Sequence, residues 1–249
     1  MPHFEWRGRK LFYREAGEGP PLIILHGNAS SSAMHDGELA HFAGSFHTVA
    51  PDLPGCGQSE RLSRWPDHWW LESARAAAAL VAEMNNGPAI LVGTSGGAVA
   101  AILGAIEQPH AVRAVVADSF GRKWAPSDID ALLTHRHRIT IGRMAFWQKA
   151  HGNDWQAVVE ADSAMISSWR DTGIDFFDDR LVTVKCPVLL TASSADTLVP
   201  RIEAQAQSTA DELGDARLEL FHSGDHPAMW SRREDFRRAA DIFLGRLTA

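Results

Sequence analysis

Short runs of consecutive apolar residues recur along the chain at Leu22–Leu25, Val49–Ala50, Ala89–Val92, Ala114–Ala117, Val188–Thr191 and Leu218–Phe221. Most lead into polar or Gly-rich residues and then into a longer segment with helical spacing. Strands that are apolar on both faces and alternate with helices predict a parallel sheet covered on both sides. The start differs: Phe4-Glu5-Trp6 and Leu11-Phe12-Tyr13 flank Arg7-Gly8-Arg9, the pattern of a hairpin at a sheet edge.

One interval breaks the rhythm. Between Asp118 and Pro187 roughly 70 residues carry no buried-strand pattern, too many for a loop without structure of its own. Ser127-Asp128-Ile129-Asp130 reads as a helix start, and Trp155, Val158, Val159, Asp162, Met165 and Ile166 recur at helical spacing. The expectation is one α/β core built from residues 1–119 and 186–249, with 120–185 inserted as a helical cap of the same domain. Trp124, Trp147, Trp155 and Trp169 fall in the insert, with Phe146, Phe176 and Phe177. Such aromatics either pack small helices together or line a substrate pocket, and different residues can do each.

The 249 residues are 45% hydrophobic and 22% charged, ample for one large core and outside the range of disordered chains. With 24 Lys and Arg against 31 Asp and Glu, the net charge of −7 argues against a nucleic-acid partner held through phosphates. No apolar run approaches the ~20 residues that span a bilayer, and the charged first residues lead into no apolar stretch of a secretory signal. Cys56 and Cys186 form no CxxC or zinc pattern, and Cys186, before Pro-Val-Leu-Leu, reads as a buried reduced thiol. These features lead us to expect a soluble, cytoplasmic, single-domain protein, with the oligomeric state open.

Gly93-Thr94-Ser95-Gly96-Gly97 follows the run Ala89–Val92 and precedes the helix-forming stretch Ala98–Leu103. A serine at the tip of a strand-to-helix turn takes strained backbone angles, and small neighbours two residues to either side permit the close approach this needs. The turn thrusts the hydroxyl out of the sheet, and the helix aims free N–H groups at the same spot. Serine is a poor nucleophile until a base takes its proton. His226, in the loop after Phe221, and Asp196, past the run Val188–Thr191, supply a base and its orienter in the chain order Ser95, Asp196, His226. Asp118 is the alternative acid and His222, at the strand end itself, the rival base. His222 and His226 lie four apart, but the intervening Ser-Gly-Asp makes a poor helix and no third ligand is in reach, which disfavours a metal. His26-Gly27-Asn28 ends the first core strand, so the backbone N–H groups of Asn28 and Gly96 together would form an oxyanion hole.

Taken together, His26-Gly27, the stretch from Asp52 to Ser59, the Ser95 turn, Asp196 with Pro200, and Gly224-Asp225-His226 with Phe236 resemble the α/β-hydrolase superfamily. The resemblance implies that superfamily's fold: a mostly parallel sheet of roughly eight strands, helices on both faces and an inserted helical cap. It also implies a Ser-His-Asp triad that needs no cofactor. Serine at position 95 sets the chain apart from the haloalkane dehalogenase and epoxide hydrolase branches, which carry Asp there. The cap and the C-terminal third are similar to the biphenyl hydrolase-like (valacyclovir hydrolase) group, whose acidic residue after the nucleophile holds a substrate amino group. Gly96 stands there in this chain.

The expected reaction is cleavage of a carboxylic ester with a small to medium, fairly apolar substrate, with Trp147 and Trp230 lining the pocket. The same triad serves lactones, thioesters, amides and carbon–carbon bonds, and the fold also hosts ligand receptors with little turnover. The run His135-Arg136-His137-Arg138 is either a solvated helix face or a pocket wall that meets an acidic substrate. His35, Glu38 and Asp67 are further pocket candidates, and Asp52 is expected to tie its own loop together.

Overall fold

In the computed structural model, which describes residues 2–248, eight strands form one sheet. In chain order they are β1 (His3–Trp6), β2 (Arg9–Ala16), β3 (Pro21–Leu25), β4 (His47–Pro51), β5 (Ala89–Thr94), β6 (Val112–Asp118), β7 (Val188–Ser193) and β8 (Ala216–Phe221). Across the sheet they are ordered β1-β2-β4-β3-β5-β6-β7-β8. The hairpin β1–β2 and the pair β2–β4 are antiparallel, and the remaining neighbours are parallel. The helices are α1 (Asp36–Phe42), α2 (Trp69–Met84), α3 (Gly96–Glu107), α4 (Pro126–His137), α5 (Ile141–His151), α6 (Trp155–Ser167), α7 (Ile202–Glu212), α8 (Ala228–Ser231) and α9 (Arg233–Thr248).

The inner strands are apolar on both faces because helices cover both. Leu25, Leu91, Val115 and Leu190 pack with Trp69 and Leu80 of α2 and Ile102 of α3. The alternate residues Ile24, Ile90, Val116 and Leu189 pack with Phe42 of α1 and with Phe236, Ala240 and Leu244 of α9. Burying each aliphatic side chain contributes about 1.5–3 kcal/mol, so the two layers hold their helices on the sheet. The spatial order reverses at β3, which has β4 on one side and β5 on the other. Loops leaving the carboxyl ends of β3 and β5 therefore diverge and open a crevice, and these are the loops that carry Asn28 and Ser95.

Between β6 and β7 the chain leaves the sheet to form α4, α5 and α6, with a two-stranded ribbon of Lys123–Trp124 and Ile174–Asp175 at the base of the insert. Pro126 opens α4, and the Asp128 carboxylate accepts from the Ala125 N–H at 2.9 Å. The Thr140 hydroxyl caps α5. On α6 the whole stripe Trp155, Val158, Val159, Asp162, Met165 and Ile166 is buried. Positions 1 and 249 of the expected core lie outside the described residues. Among the described residues no helix is long and apolar enough to cross a membrane. Cys56 is a buried free thiol, whereas Cys186 is only half-buried, because it precedes β7 on the connector rather than lying within the strand.

Candidate active site

Ser95 occupies the turn between β5 and α3 with φ 55° and ψ −124°. Such a conformation in a non-glycine residue costs on the order of 1–3 kcal/mol and persists only where the surroundings impose it. Here they do. A Cβ at Gly93 would lie 2.2 Å from the Gly97 carbonyl oxygen, and one at Gly97 would lie 2.0 Å from that of Leu25. Strand and helix therefore meet more closely than any side chain allows, and the elbow is their only connection. The N–H groups of Ala98 and Val99 already turn back to the Ser95 carbonyl, which leaves those of Gly96 and Gly97 as the free donors at the start of α3.

His226 follows β8, and its Nδ1 lies 2.7 Å from Oδ2 of Asp196. The other carboxylate oxygen of Asp196 accepts the N–H groups of Leu198 and Val199 at 2.8 and 3.1 Å. Burial raises the pKa of Asp196, but the His226 hydrogen bond and charge, with those two N–H groups, outweigh it and bring the pKa below its ordinary value. An ionised Asp196 accepts a proton on Nδ1 and so leaves Nε2 of His226 free to take one.

Asp118, the alternative acid, is fully buried and engaged elsewhere. It accepts from the hydroxyls of Thr94 (3.0 Å) and Thr191 (2.7 Å) and from the Met229 N–H (3.0 Å). Burial pushes its pKa up to about 6. It fastens β5, β7 and the start of α8 together, and so supports the loop that carries His226 without bonding to it. His222, the rival base, is exposed at the end of β8.

The loop after β3 is held from several directions. His26 donates from Nδ1 to the Gly27 carbonyl at 2.8 Å and accepts the Leu53 N–H on Nε2 at 2.9 Å. Burial lowers its pKa to about 3, so it stays neutral. Asp52 does tie its neighbourhood together, accepting the N–H groups of Ser32 (2.7 Å) and Gln58 (2.6 Å). The side chain of Asn28 is clamped: Nε1 of Trp70 donates to its Oδ1 at 2.9 Å, and its Nδ2 donates to Asp162 of α6 at 2.5 Å. A donor at one end and a carboxylate at the other fix the orientation of the amide. Asp162 also forms an ion pair with Arg136 of α4.

Ser95, His226, Asn28 and Gly96 open onto one cavity of about 730 Å³, within the range that small-molecule sites occupy. Trp147 and Trp230 line it, joined by Trp70 and Phe176. The expectation of a fairly apolar pocket needs a correction at one wall, where His135, Arg136 and Arg143 line the same space, with Asp225 as the lining carboxylate. Arg143 donates to the carbonyls of His135 and Arg138, and no carboxylate pairs with it among the described residues. His35, Glu38 and Asp67 do not line the cavity; His35 lies behind Trp230, ring centroids 5.4 Å apart. Sequence reasoning missed Trp70, Arg143 and the role of Asp162. The one signal for the last was a carboxylate on an otherwise apolar helix stripe.

The model of the alpha/beta hydrolase family matches residues 22–239, and the chain belongs to that family. The 2-hydroxy-6-oxo-6-phenylhexa-2,4-dienoate hydrolase of Comamonas testosteroni is 25% identical over 268 residues, covering 94% of this chain and 91% of that protein. The 2-(acetamidomethylene)succinate hydrolase of Mesorhizobium japonicum is 33% identical over 138 residues, 55% of this chain and 47% of that one. Among solved structures, E-2-(acetamidomethylene)succinate hydrolase shares the fold with a TM-score of 0.79 at 21% identity, covering 98% of each chain.

Proposed function

We propose that this protein is a serine hydrolase that cleaves a carboxylic ester through an acyl-enzyme, on a small to medium substrate bearing a carboxylate. The observation that carries the reading is the 2.7 Å contact between His226 and Asp196 at the cavity onto which the elbow Ser95 opens. In the proposed cycle Ser95 Oγ attacks the acyl carbon while Nε2 of His226 takes its proton, and Asp196 stabilises the resulting imidazolium. The backbone N–H groups of Asn28 and Gly96 hold the oxyanion, each donor worth about 3 kcal/mol of transition-state stabilisation. Collapse breaks the ester bond, and His226 protonates the departing alcohol. A water then repeats the sequence on the acyl-enzyme, releasing the acid and restoring Ser95. The aromatic walls formed by Trp147 and Trp230 suit the apolar body of the substrate, and Arg136 and Arg143 suit an anionic end.

The test is hydrolysis of p-nitrophenyl esters from acetate to decanoate by the wild type and by Ser95→Ala. The expected result is turnover that falls by up to ~10⁶ in the variant. Near-native turnover by Ser95→Ala would overturn the triad, and a folded wild type inert on every ester would leave the ester reading without support.

A second reading is hydrolysis of a carbon–carbon bond beside a ketone, with the same triad. It is favoured by the 25% identical relative, whose name specifies a 6-oxo-dienoate. Comparing kcat/KM for that compound with the best p-nitrophenyl ester decides between the two.

A further inference from the structure

Asp162 is a carboxylate with no exposure on the buried stripe of α6, and its contacts join two parts of the site that differ in chemistry. One oxygen receives Nδ2 of Asn28, whose backbone belongs to the proposed oxyanion hole. The other meets the guanidinium of Arg136, which lines the cavity. Nothing else anchors the nitrogen end of the Asn28 amide among the described hydrogen bonds, and the oxygen end rests on Trp70 of the core. The orientation of Asn28 therefore depends on a residue of the insert. Arg136 is in turn partly neutralised by that same residue; its pKa is brought down to about 10 by burial and by Arg143, which leaves it charged at neutral pH.

We propose that Asp162 is a positioning residue that couples the cationic wall of the pocket to the oxyanion loop. It holds Asn28 in register with Ser95 and at the same time masks Arg136, so that a substrate carboxylate must compete with Asp162 for the guanidinium. The price of that masking is weaker binding of anions, and its return is a loop fixed before substrate arrives. This inference deepens the hydrolase reading above and rests on it.

The two functions of Asp162 separate by substitution. Asp162→Asn keeps a carbonyl oxygen for Nδ2 of Asn28 but removes the charge that masks Arg136, whereas Asp162→Ala removes both. The probes are two p-nitrophenyl esters of similar length, the monoester of adipic acid, with a free carboxylate, and the neutral heptanoate. Asp162→Ala is expected to lower kcat on both esters by about 10–100-fold, the scale of a misplaced oxyanion donor. Asp162→Asn should recover most of that kcat and shift the ratio of the two KM values about tenfold in favour of the adipate, as a charge-assisted contact is unmasked. Arg136→Gln should shift the same ratio about tenfold the other way, a test that does not depend on Asp162→Ala folding.

A structural role alone would move both esters together. If neither Asp162→Asn nor Arg136→Gln moves the KM ratio, or if Asp162→Asn loses as much kcat as Asp162→Ala, the coupling is wrong. Ser95→Ala on the same two esters separates the failures. Loss of turnover there, with no shift in the ratio, overturns only the role of Asp162, whereas retained turnover overturns the hydrolase reading itself.

Discussion

A side chain at position 96 has no room. Its Cβ would lie 2.0 Å from Oδ1 of Asn28 and 2.9 Å from Nε1 of Trp70. The space a side chain would need is filled by the Asn28 amide, so packing requires glycine here. Gly96→Ala must push Asn28 off Trp70 or rotate the Gly96 N–H out of the oxyanion position, and either should lower kcat by about 10²–10³. Steady-state kinetics on one p-nitrophenyl ester check this, and an alanine variant within threefold of wild type would mean that the clamp yields freely. Legibility at this scale follows sequence distance. Ser95, Asp196 and His226 were legible as candidates because each sits just past an apolar strand, but the choice of Asp196 over Asp118 and of His226 over His222 rests on the contact between Asp196 and His226. The clamp was not legible, because Asn28 and Asp162 lie 134 positions apart and either alone is an ordinary polar residue.

At the scale of elements, the strands announced themselves because burial on both faces forces unbroken apolar runs. Helix α6 was readable for a similar reason, since its stripe keeps helical spacing. Helix α5 escaped notice: it buries only Trp147, Ala150 and His151, too few positions to set a period. A small apolar cluster of Met144, Phe146 and Trp147 with Ala29, Trp155 and Val159 holds α5 on one side, and long-range polar contacts hold its end. Arg61, in the loop after β4, grips Asp154 with two bonds of 2.8 and 2.9 Å and donates to the carbonyls of His151 (3.1 Å) and Gly57 (2.7 Å). The ion pair itself is half-exposed and contributes little. The guanidinium's bonds to carbonyls on both sides of the seam matter more, because they satisfy backbone at the end of α5 and in the core loop together. Arg61→Ala should therefore cost about 1–2 kcal/mol, a fall of about 2–8 °C in Tm for a chain of this size. Faster amide exchange should be confined to residues 150–156 and the Gly57 loop. Arg61→Lys should not restore stability, since an ammonium cannot reproduce the fork; full restoration by lysine would reduce the contact to simple charge.

Across the whole molecule the seam between core and insert is also where protons are excluded. His26 and His151 are both buried, with pKa values lowered by burial from 6.5 to about 3 and about 4. Each accepts a backbone N–H through a ring nitrogen, His26 from Leu53 and His151 from Gly57 at 3.0 Å, a bond that protonation of that nitrogen would break. The unfolded chain takes up protons on both histidines as pH drops below 6.5 while the folded protein does not, so acid favours unfolding. Asp118 acts in the opposite sense. Its folded pKa of about 6 lies above its ordinary 3.8, so the folded state binds that proton first and gains stability as pH falls through the interval. At ~1.4 kcal/mol per pKa unit, each histidine removes roughly 2–3 kcal/mol by pH 4.5 and Asp118 returns about 2, so the histidines prevail by about 3 kcal/mol. Thermal unfolding should accordingly show Tm falling by about 6–12 °C between pH 7 and pH 4.5. In His151→Gln the amide oxygen can still accept the Gly57 N–H but cannot titrate, so this variant should start close to wild type at pH 7 and lose no more than about a third as much on acidification, because Asp118 then offsets most of what His26 removes. Equal acid sensitivity in the two proteins would place the titrating group elsewhere. A pH dependence cut to a third or less would identify the histidine under Gly57 as a buried base whose neutrality keeps the insert seated over the site.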